Sequence, residues 1–242
     1  MTPFDVVIPA RDESTTVAAV VTAALAAHGV GRVFVVDDGS SDGTAAVAAR
    51  AGAVVLSRSR DEPGSKARAL ALGVEAASAP VLVFFDADIL EARPDHFEAL
   101  AAPVLDGGAW LSCGMISYGR LRDPFFLRLP PITGLRAIRR EVFEAIPDSK
   151  RNGFQIEIMI NEVIARGGLP STIQVLPGLR HRSKVQKVGW RRGLPSHLAM
   201  TRELLACLRF VPLWTYRAYL SHLKVLPPAG SSAAEVRCVR KA

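Results

Sequence analysis

The sequence predicts an α/β fold, a mostly parallel sheet covered by helices on both faces, and three observations carry this. Short β-branched runs alternate with Ala-rich stretches of helical spacing through residues 1–115. The runs are nearly continuous in apolar residues, the pattern of strands buried on both sides. The connections between them are short, as in strand–helix–strand crossovers.

Strands are expected at Asp5–Ile8, Arg32–Val36, Ala53–Leu56 and Val81–Phe85. Helices are expected at Thr15–Ala27, Thr44–Ala51, Lys66–Ala77 and Asp95–Leu105. Ser14 and Asp42 are placed to cap the first two helices, and Gly52 to close the second. From residue 116 the pattern loosens, with loops at Asp123-Pro124-Phe125-Phe126 and Leu129-Pro130-Pro131. A short unit, Ile132–Ile146, precedes an apolar helix at Gly153–Ala165, which Gly167-Gly168 ends, and then a strand at Thr172–Leu176. Amphipathic helices are expected near Ser196–Arg209 and Leu213–Leu226, before a mobile Pro/Gly/Ser/Ala-rich tail from Pro227. The chain therefore divides into 1–115 and 116–195, two halves of one domain, and 196–242, the terminal helices and tail.

Half of the 242 residues are hydrophobic (49%), which supplies a sizeable core and excludes global disorder. The net charge is +7, with Lys and Arg concentrated after residue 120, so an anionic partner is expected. Cys113, Cys207 and Cys238 are odd in number and far apart, which reads as a reduced, cytoplasmic protein. No basic leader precedes an apolar run, so a signal peptide is not expected. The longest mostly apolar stretch, Val17–Ala27, is too short to span a bilayer, and membrane contact would be peripheral.

Ligands of open parallel sheets bind beyond the carboxyl ends of the strands. Three polar clusters fall there: Pro9-Ala10-Arg11-Asp12-Glu13, then Asp37-Asp38-Gly39-Ser40-Ser41-Asp42-Gly43-Thr44, then Asp86-Ala87-Asp88. In the last, two carboxylates leave a buried strand with one small residue between them. In extended backbone, residues two apart project to the same side, so both can face one ion. A hard cation such as Mg2+ or Mn2+ suits carboxylate and phosphate oxygens and offsets charge on a leaving diphosphate. Asp38 can accept hydrogen bonds from a base edge or ribose, and Gly39 permits close backbone approach. Lys66 opens a helix, where its ammonium suits phosphates held at that N-terminus.

Together, Asp5 to Glu13, Val35 to Thr44 and Phe85 to Asp88 resemble the family 2 glycosyltransferases of the GT-A (Rossmann-like) fold over residues 4–90. The resemblance implies that Pro9, Ala10, Arg11 and Glu13 line a nucleotide pocket, with Asp38 and Gly39 at the base and Lys66 at the diphosphate. It gives Asp86 to the ribose and Asp88 to the metal. The family's usual Gly-Lys-Gly is Ser65-Lys66-Ala67 in this chain. Further on, Gly134-Leu135-Arg136 resembles the acceptor-side segment, and Glu157 the carboxylate of a helix start. His181 resembles a late histidine that completes the metal shell in members acting on small acids. The basic run from Arg180 through Lys184 to Arg192 suits an anionic acceptor or the donor diphosphate.

The expected activity is metal-dependent transfer of a sugar from a nucleotide donor to a phosphate-bearing acceptor, either a small phosphorylated acid or a polyprenyl phosphate. Asp88 with its cation and Lys66 would stabilise the departing diphosphate, Glu157 would assist acceptor activation, and Asp86 is expected with Glu157 among the catalytic residues. A nucleotidyltransferase would carry a Gly-rich loop after the first strand, and Pro9-Ala10-Arg11-Asp12-Glu13 contains no glycine. A non-catalytic nucleic-acid module would explain the charge but not the Asp-Ala-Asp placement, and the basic run lacks interleaved aromatics, so no nucleic acid is expected. Gln186-Lys187-Val188-Gly189-Trp190 departs by Gly189 from the Gln-x-x-Arg-Trp box of polymerising synthases. The stripe Leu213, Trp214, Tyr216, Tyr219, Leu220 and Leu223 would pack on the core, on a homodimer partner or at a lipid interface.

Overall fold

A computed structural model describes residues 3–59, 61, 64–119, 121–127, 131–151, 156–181 and 213–230. The first strand, β1 (Phe4–Ala10), leads through α1 (Val17–Leu25) to β2 (Val30–Asp37), and α2 (Thr44–Arg50) leads to β3 (Val54–Ser57). Then α3 (Lys66–Ala76) carries the chain back to β4 (Val81–Phe84), followed by the short β5 (Ile89–Leu90) and α4 (Pro94–Leu105). The later elements are β6 (Leu111–Ile116), α5 (Asp123–Phe126), β7 (Arg136–Arg139), α6 (Arg140–Glu144), α7 (Ile156–Gly167), β8 (Ser171–Leu176) and β9 (Arg180–His181). Last come α8 (Leu213–Ser221) and β10 (Leu223–Val225).

Eight strands form one sheet in the order β10-β8-β6-β7-β4-β1-β2-β3. Every pairing is parallel except those of β7 with β4 and β6, so strands from both halves of the chain share one mostly parallel, GT-A-type sheet. Alternation along β1 sorts the core into two layers. Val6 and Ile8 pack with Val17 and Val20 of α1 and Phe97 and Leu100 of α4. Val7 faces the opposite layer, with Leu70 and Val74 of α3, Ile160 and Ile164 of α7 and Tyr219 of α8. Gly73 lets α3 lie close to the sheet, because a Cβ there would overlap the Val7 side chain.

Four local expectations are corrected. Asp123–Phe126, expected as a loop, forms a short helix with Pro124 in its first turn, where the missing N–H costs no hydrogen bond. Ser14 does not cap α1: Thr16 stands at that position without a side-chain cap bond, and the Ser14 N–H donates to Asp42 Oδ2 at 2.9 Å. Gly43, not Asp42, is the N-cap of α2. Asp42 still accepts from the Thr44 N–H (3.1 Å) and hydroxyl (2.5 Å), so it ties the first two loops together. Partial burial would raise its pKa, but the bonds from Thr44 and Ser14 hold the carboxyl down at about 2. The helix expected over Leu213–Leu226 stops at Ser221, and Leu223–Val225 instead adds a parallel edge strand to β8. The cause is that the edge of β8 offers unpaired backbone groups, which a three-residue strand satisfies and a further helical turn would not.

Within that terminal stripe, Tyr219 is buried in the core layer formed by α7 and β8. The segment Ser196–Arg209 and the tail beyond residue 230 lie outside the described residues. No helix among the described residues is long and apolar enough to cross a membrane.

Candidate active site

The chain leaves β1 toward β2 and β3 on one side and returns to β4 on the other. In such sheets the carboxyl ends of the strands at a reversal like this one, here β1 and β4, are the usual ligand position. Ala10 pairs with Asp37, and the Asp38 N–H donates to the Ala10 carbonyl at 2.8 Å, so the first two polar clusters emerge side by side. Val7 pairs with Phe84, which brings Asp86 out at the same edge as Pro9.

On the β2 side, the loops brace one another. The Asp12 carboxylate accepts from the Ser41 N–H at 2.7 Å, and the Asp12 N–H donates to Ser40 Oγ at 3.0 Å. Asp12 takes a left-handed backbone (φ +55°), which few non-glycine residues adopt. Glu13 is buried: its N–H donates to Thr44 Oγ1 (2.8 Å) and its carboxylate accepts from the Thr16 hydroxyl (3.3 Å). Asp38 forms an ion pair with Arg58 and accepts from the Ser65 N–H at 2.7 Å. Arg58 stands directly after β3 at this edge, and its place beyond a strand's carboxyl end was the one signal that could have marked it. Arg11 is exposed, with Nη1 against Gly64, close to the Asp38 carboxylate.

On the β4 side, three charges meet. Lys66 Nζ lies 2.7 Å from Asp86 Oδ1 and 2.9 Å from Glu157 Oε1. Lys66 is the first residue of α3, whose N-cap Ser65 accepts from the Arg68 N–H, and Glu157 lies in the first turn of α7. Burial would lower the lysine pKa, but the attraction of Asp86 and Glu157 overcomes it and leaves the pKa raised, so the ammonium stays charged. Gly134 passes directly over Asp86, and a Cβ there would overlap both carboxylate oxygens. Gly134→Ala is therefore expected to displace Asp86 and weaken nucleotide binding about tenfold or more while the protein still folds, which titration calorimetry and circular dichroism would test together.

Leu135 and Arg136 follow inside the protein. The Arg136 guanidinium is 1% exposed and donates to the carbonyls of Pro131 (2.7 Å), Thr133 (2.6 Å) and Glu157 (3.0 Å) and to Asn161 Oδ1 (2.9 Å). Asn161 in turn donates to the Pro131 carbonyl at 2.9 Å. This places the guanidinium as a clamp that holds the 131–134 loop onto the first turns of α7, with four of its five N–H groups bonded to protein acceptors.

Asp88 and His181 are 93 residues apart in the chain and meet through a separate two-stranded ribbon. In it β5 pairs antiparallel with β9, Ile89 opposite His181 and Leu90 opposite Arg180. His181 Nδ1 lies 3.6 Å from Asp88 Oδ1. Interaction with the Asp88 carboxylate, against partial burial, raises the imidazole pKa above its ordinary value. Ala87 is buried between the two aspartates. Arg180 is exposed, 3.8 Å from Glu91, and Glu91 is the second non-glycine residue with positive φ among those described. Lys184 lies outside the described residues. Among the described residues, no group of three or more His, Cys, Asp or Glu side chains is placed to hold a metal.

An acidic strand tip at the switch point of this sheet, reached by a lysine from the neighbouring crossover helix, is the layout of a GT-A glycosyltransferase. The sequence model for glycosyl transferase family 2 matches residues 5–152, and the chain belongs to that family. It is 29% identical to the glucosyl-3-phosphoglycerate synthase of Mycolicibacterium paratuberculosis, over 85% of this chain and 71% of that protein. It is 31% identical to an uncharacterised glycosyltransferase of Mycobacterium bovis, over 78% of this chain and 91% of that one. Among solved structures it resembles glucosyl-3-phosphoglycerate synthase from Mycobacterium tuberculosis in complex with Mn2+, UDP and glucosyl-3-phosphoglycerate. That similarity has a TM-score of 0.69 at 28% identity and covers 85% of this chain and 78% of the other.

Proposed function

We propose that the chain transfers a hexose from a UDP-sugar to a small phosphorylated acid, with a divalent cation held by Asp88 and His181. The observation that carries this is the β5–β9 pairing, which sets an imidazole beside the second carboxylate of the Asp-Ala-Asp motif at the edge where nucleotides bind. The donor set suits Mg2+ or Mn2+: one carboxylate and one imidazole leave coordination positions for phosphate oxygens and water. Asp86 is engaged by Lys66, which leaves Asp88 as the aspartate facing His181. When bound, such a cation supplies Lewis-acid stabilisation of a leaving diphosphate. The relative whose structure contains Mn2+, UDP and a glycosylated phosphoglycerate supports both donor and acceptor class.

In this reading Pro9, Ala10, Arg11, Glu13, Asp38 and Gly39 shape the nucleoside side, and Asp86 serves the ribose. Lys66 holds Asp86 and Glu157 together before the donor arrives. A diphosphate at the N-terminus of α3 offers the ammonium another anionic partner. As Lys66 turns toward it, Glu157 becomes available to accept the acceptor's proton or to stabilise positive charge on the sugar. Gly134 would line the acceptor side, with Leu135 and Arg136 fixing its loop from inside the protein, and Arg180 and Lys184 would meet the acceptor's negative charge.

The direct experiment is to offer UDP-glucose and Mn2+ with 3-phosphoglycerate in one reaction and with polyprenyl phosphate in vesicles in another. Transfer to the acid, with no flotation of the protein on vesicles, is the expected result; transfer to the lipid alone would overturn the acceptor assignment. Glu157→Gln is expected to lower kcat a hundredfold or more while leaving UDP affinity within about threefold, because the lost function acts on the reacting centre. Equal losses of turnover and UDP affinity would instead give Glu157 a structural role.

A further inference from the structure

The ribbon that joins Asp88 to His181 contains two residue pairs. So short a two-stranded ladder does not hold its own register, and isolated hairpins much longer than this are marginal in water. Something outside the ribbon must fix it. His96, in the first turn of α4, is fully buried and touches the chain behind both strands. Its Nδ1 accepts from the Arg93 N–H at 3.1 Å, three residues past the end of β5. With Nδ1 used as acceptor, the ring proton sits on Nε2, which donates to the Pro177 carbonyl at 3.0 Å. Pro177 follows β8 directly and stands four residues before His181.

Neighbouring contacts act on the same turn. Leu179 is buried in the core layer that contains Phe97 and Leu100 of α4. Gly178 has φ +88° and lies against the Arg93 guanidinium, close enough that a Cβ would stand 2.9 Å from Nη1. Burial lowers the His96 pKa, which favours the neutral ring that both hydrogen bonds require.

We propose that His96 is a positioning residue for the cation site, bracing β5 and β9 from one imidazole so that His181 stays beside Asp88. This rests on the reading of Asp88 and His181 as the metal-holding pair, and the test separates the two. His96→Asn keeps an oxygen near the Nδ1 position and loses the link to Pro177. His96→Gln reaches Pro177 with an amide N–H. His96→Leu fills the same buried space without either bond. Val104→Ala, at the far end of α4, loosens the helix core without touching the ribbon.

Each purified variant would be titrated with Mn2+ in saturating UDP by electron paramagnetic resonance, with amide hydrogen exchange at residues 178–181 followed in metal-free protein. His96→Asn is expected to weaken Mn2+ binding about tenfold and to speed that exchange, and His96→Leu to do the same should the asparagine variant not fold. His96→Gln, which keeps the Pro177 link and loses the Arg93 one, is expected to fall between His96→Asn and the parent protein, and Val104→Ala to stay within about threefold of the parent. Parent-like Mn2+ affinity and exchange in His96→Asn or His96→Leu, beside a His181→Ala variant that binds Mn2+ poorly, would overturn the role of His96 alone. Parent-like Mn2+ binding by His181→Ala would remove the metal reading itself.

Discussion

Asp88→Asn is expected to abolish Mn2+-dependent UDP binding and to lower turnover at least about a hundredfold, with thermal unfolding within a few degrees of the parent protein. The substitution keeps size and hydrogen-bonding capacity but removes the charge that a hard cation requires of its oxygen donor. Asp88 is a quarter exposed at the strand tip, its spacer Ala87 provides the local burial, and the core layers lie below. The fold therefore does not depend on it, and the loss should be confined to ligand binding. Thermal shift with UDP, with and without Mn2+, reads both quantities at once. A variant that retains Mn2+-dependent stabilisation by UDP would remove Asp88 from the metal.

Lys66→Met is expected to be the most damaging single change to the fold among the site residues. Its ammonium separates two carboxylates whose side chains are 20% and 8% exposed, and it is itself 16% exposed. Methionine fills similar space but leaves Asp86 and Glu157 with no cation between them. Removing one member of a buried ionic group costs on the order of 3 kcal/mol, because the remaining charges stay desolvated and now repel. Urea denaturation should show a loss of about that size, and Lys66→Arg should recover part of it because the charge returns. Turnover should fall as well, since the cation nearest the expected diphosphate is gone. A methionine variant as stable as the parent would mean that solvent or another cation compensates, and that the three charges are not a functional unit.

These two residues also show how far the sequence could be read. The strands β1 to β4 and their helices were legible because each is a local signal: an apolar run, a helical period, a short connection. Asp38, Lys66 and Asp86 follow from those signals, since parallel strands deliver their carboxyl ends to one edge. The meeting of Lys66 with Glu157 was not legible, because it requires α7 to cross the sheet from a distant part of the chain. Asp88 and His181 were linked beforehand through resemblance alone. The ribbon that joins them consists of two-residue strands, too short to show any period. Arg58 offers only its place after a strand end, and His96 no pattern at all, since each acts through contacts that exist only after folding. The strand Leu223–Val225 was read as helix because a three-residue edge strand carries too little alternation to compete with the helical spacing before it. The interior position of Arg136 escaped for a related reason: its partners are backbone carbonyls, which sequence does not display.

The most direct test of the account is a crystal structure of the protein soaked with Mn2+ and UDP. The expected result is one Mn2+ held by Asp88 and His181 beside the diphosphate, with Lys66 turned from Glu157 toward the phosphates. A nucleotide seated elsewhere, or a metal that leaves Asp88 and His181 untouched, would contradict it.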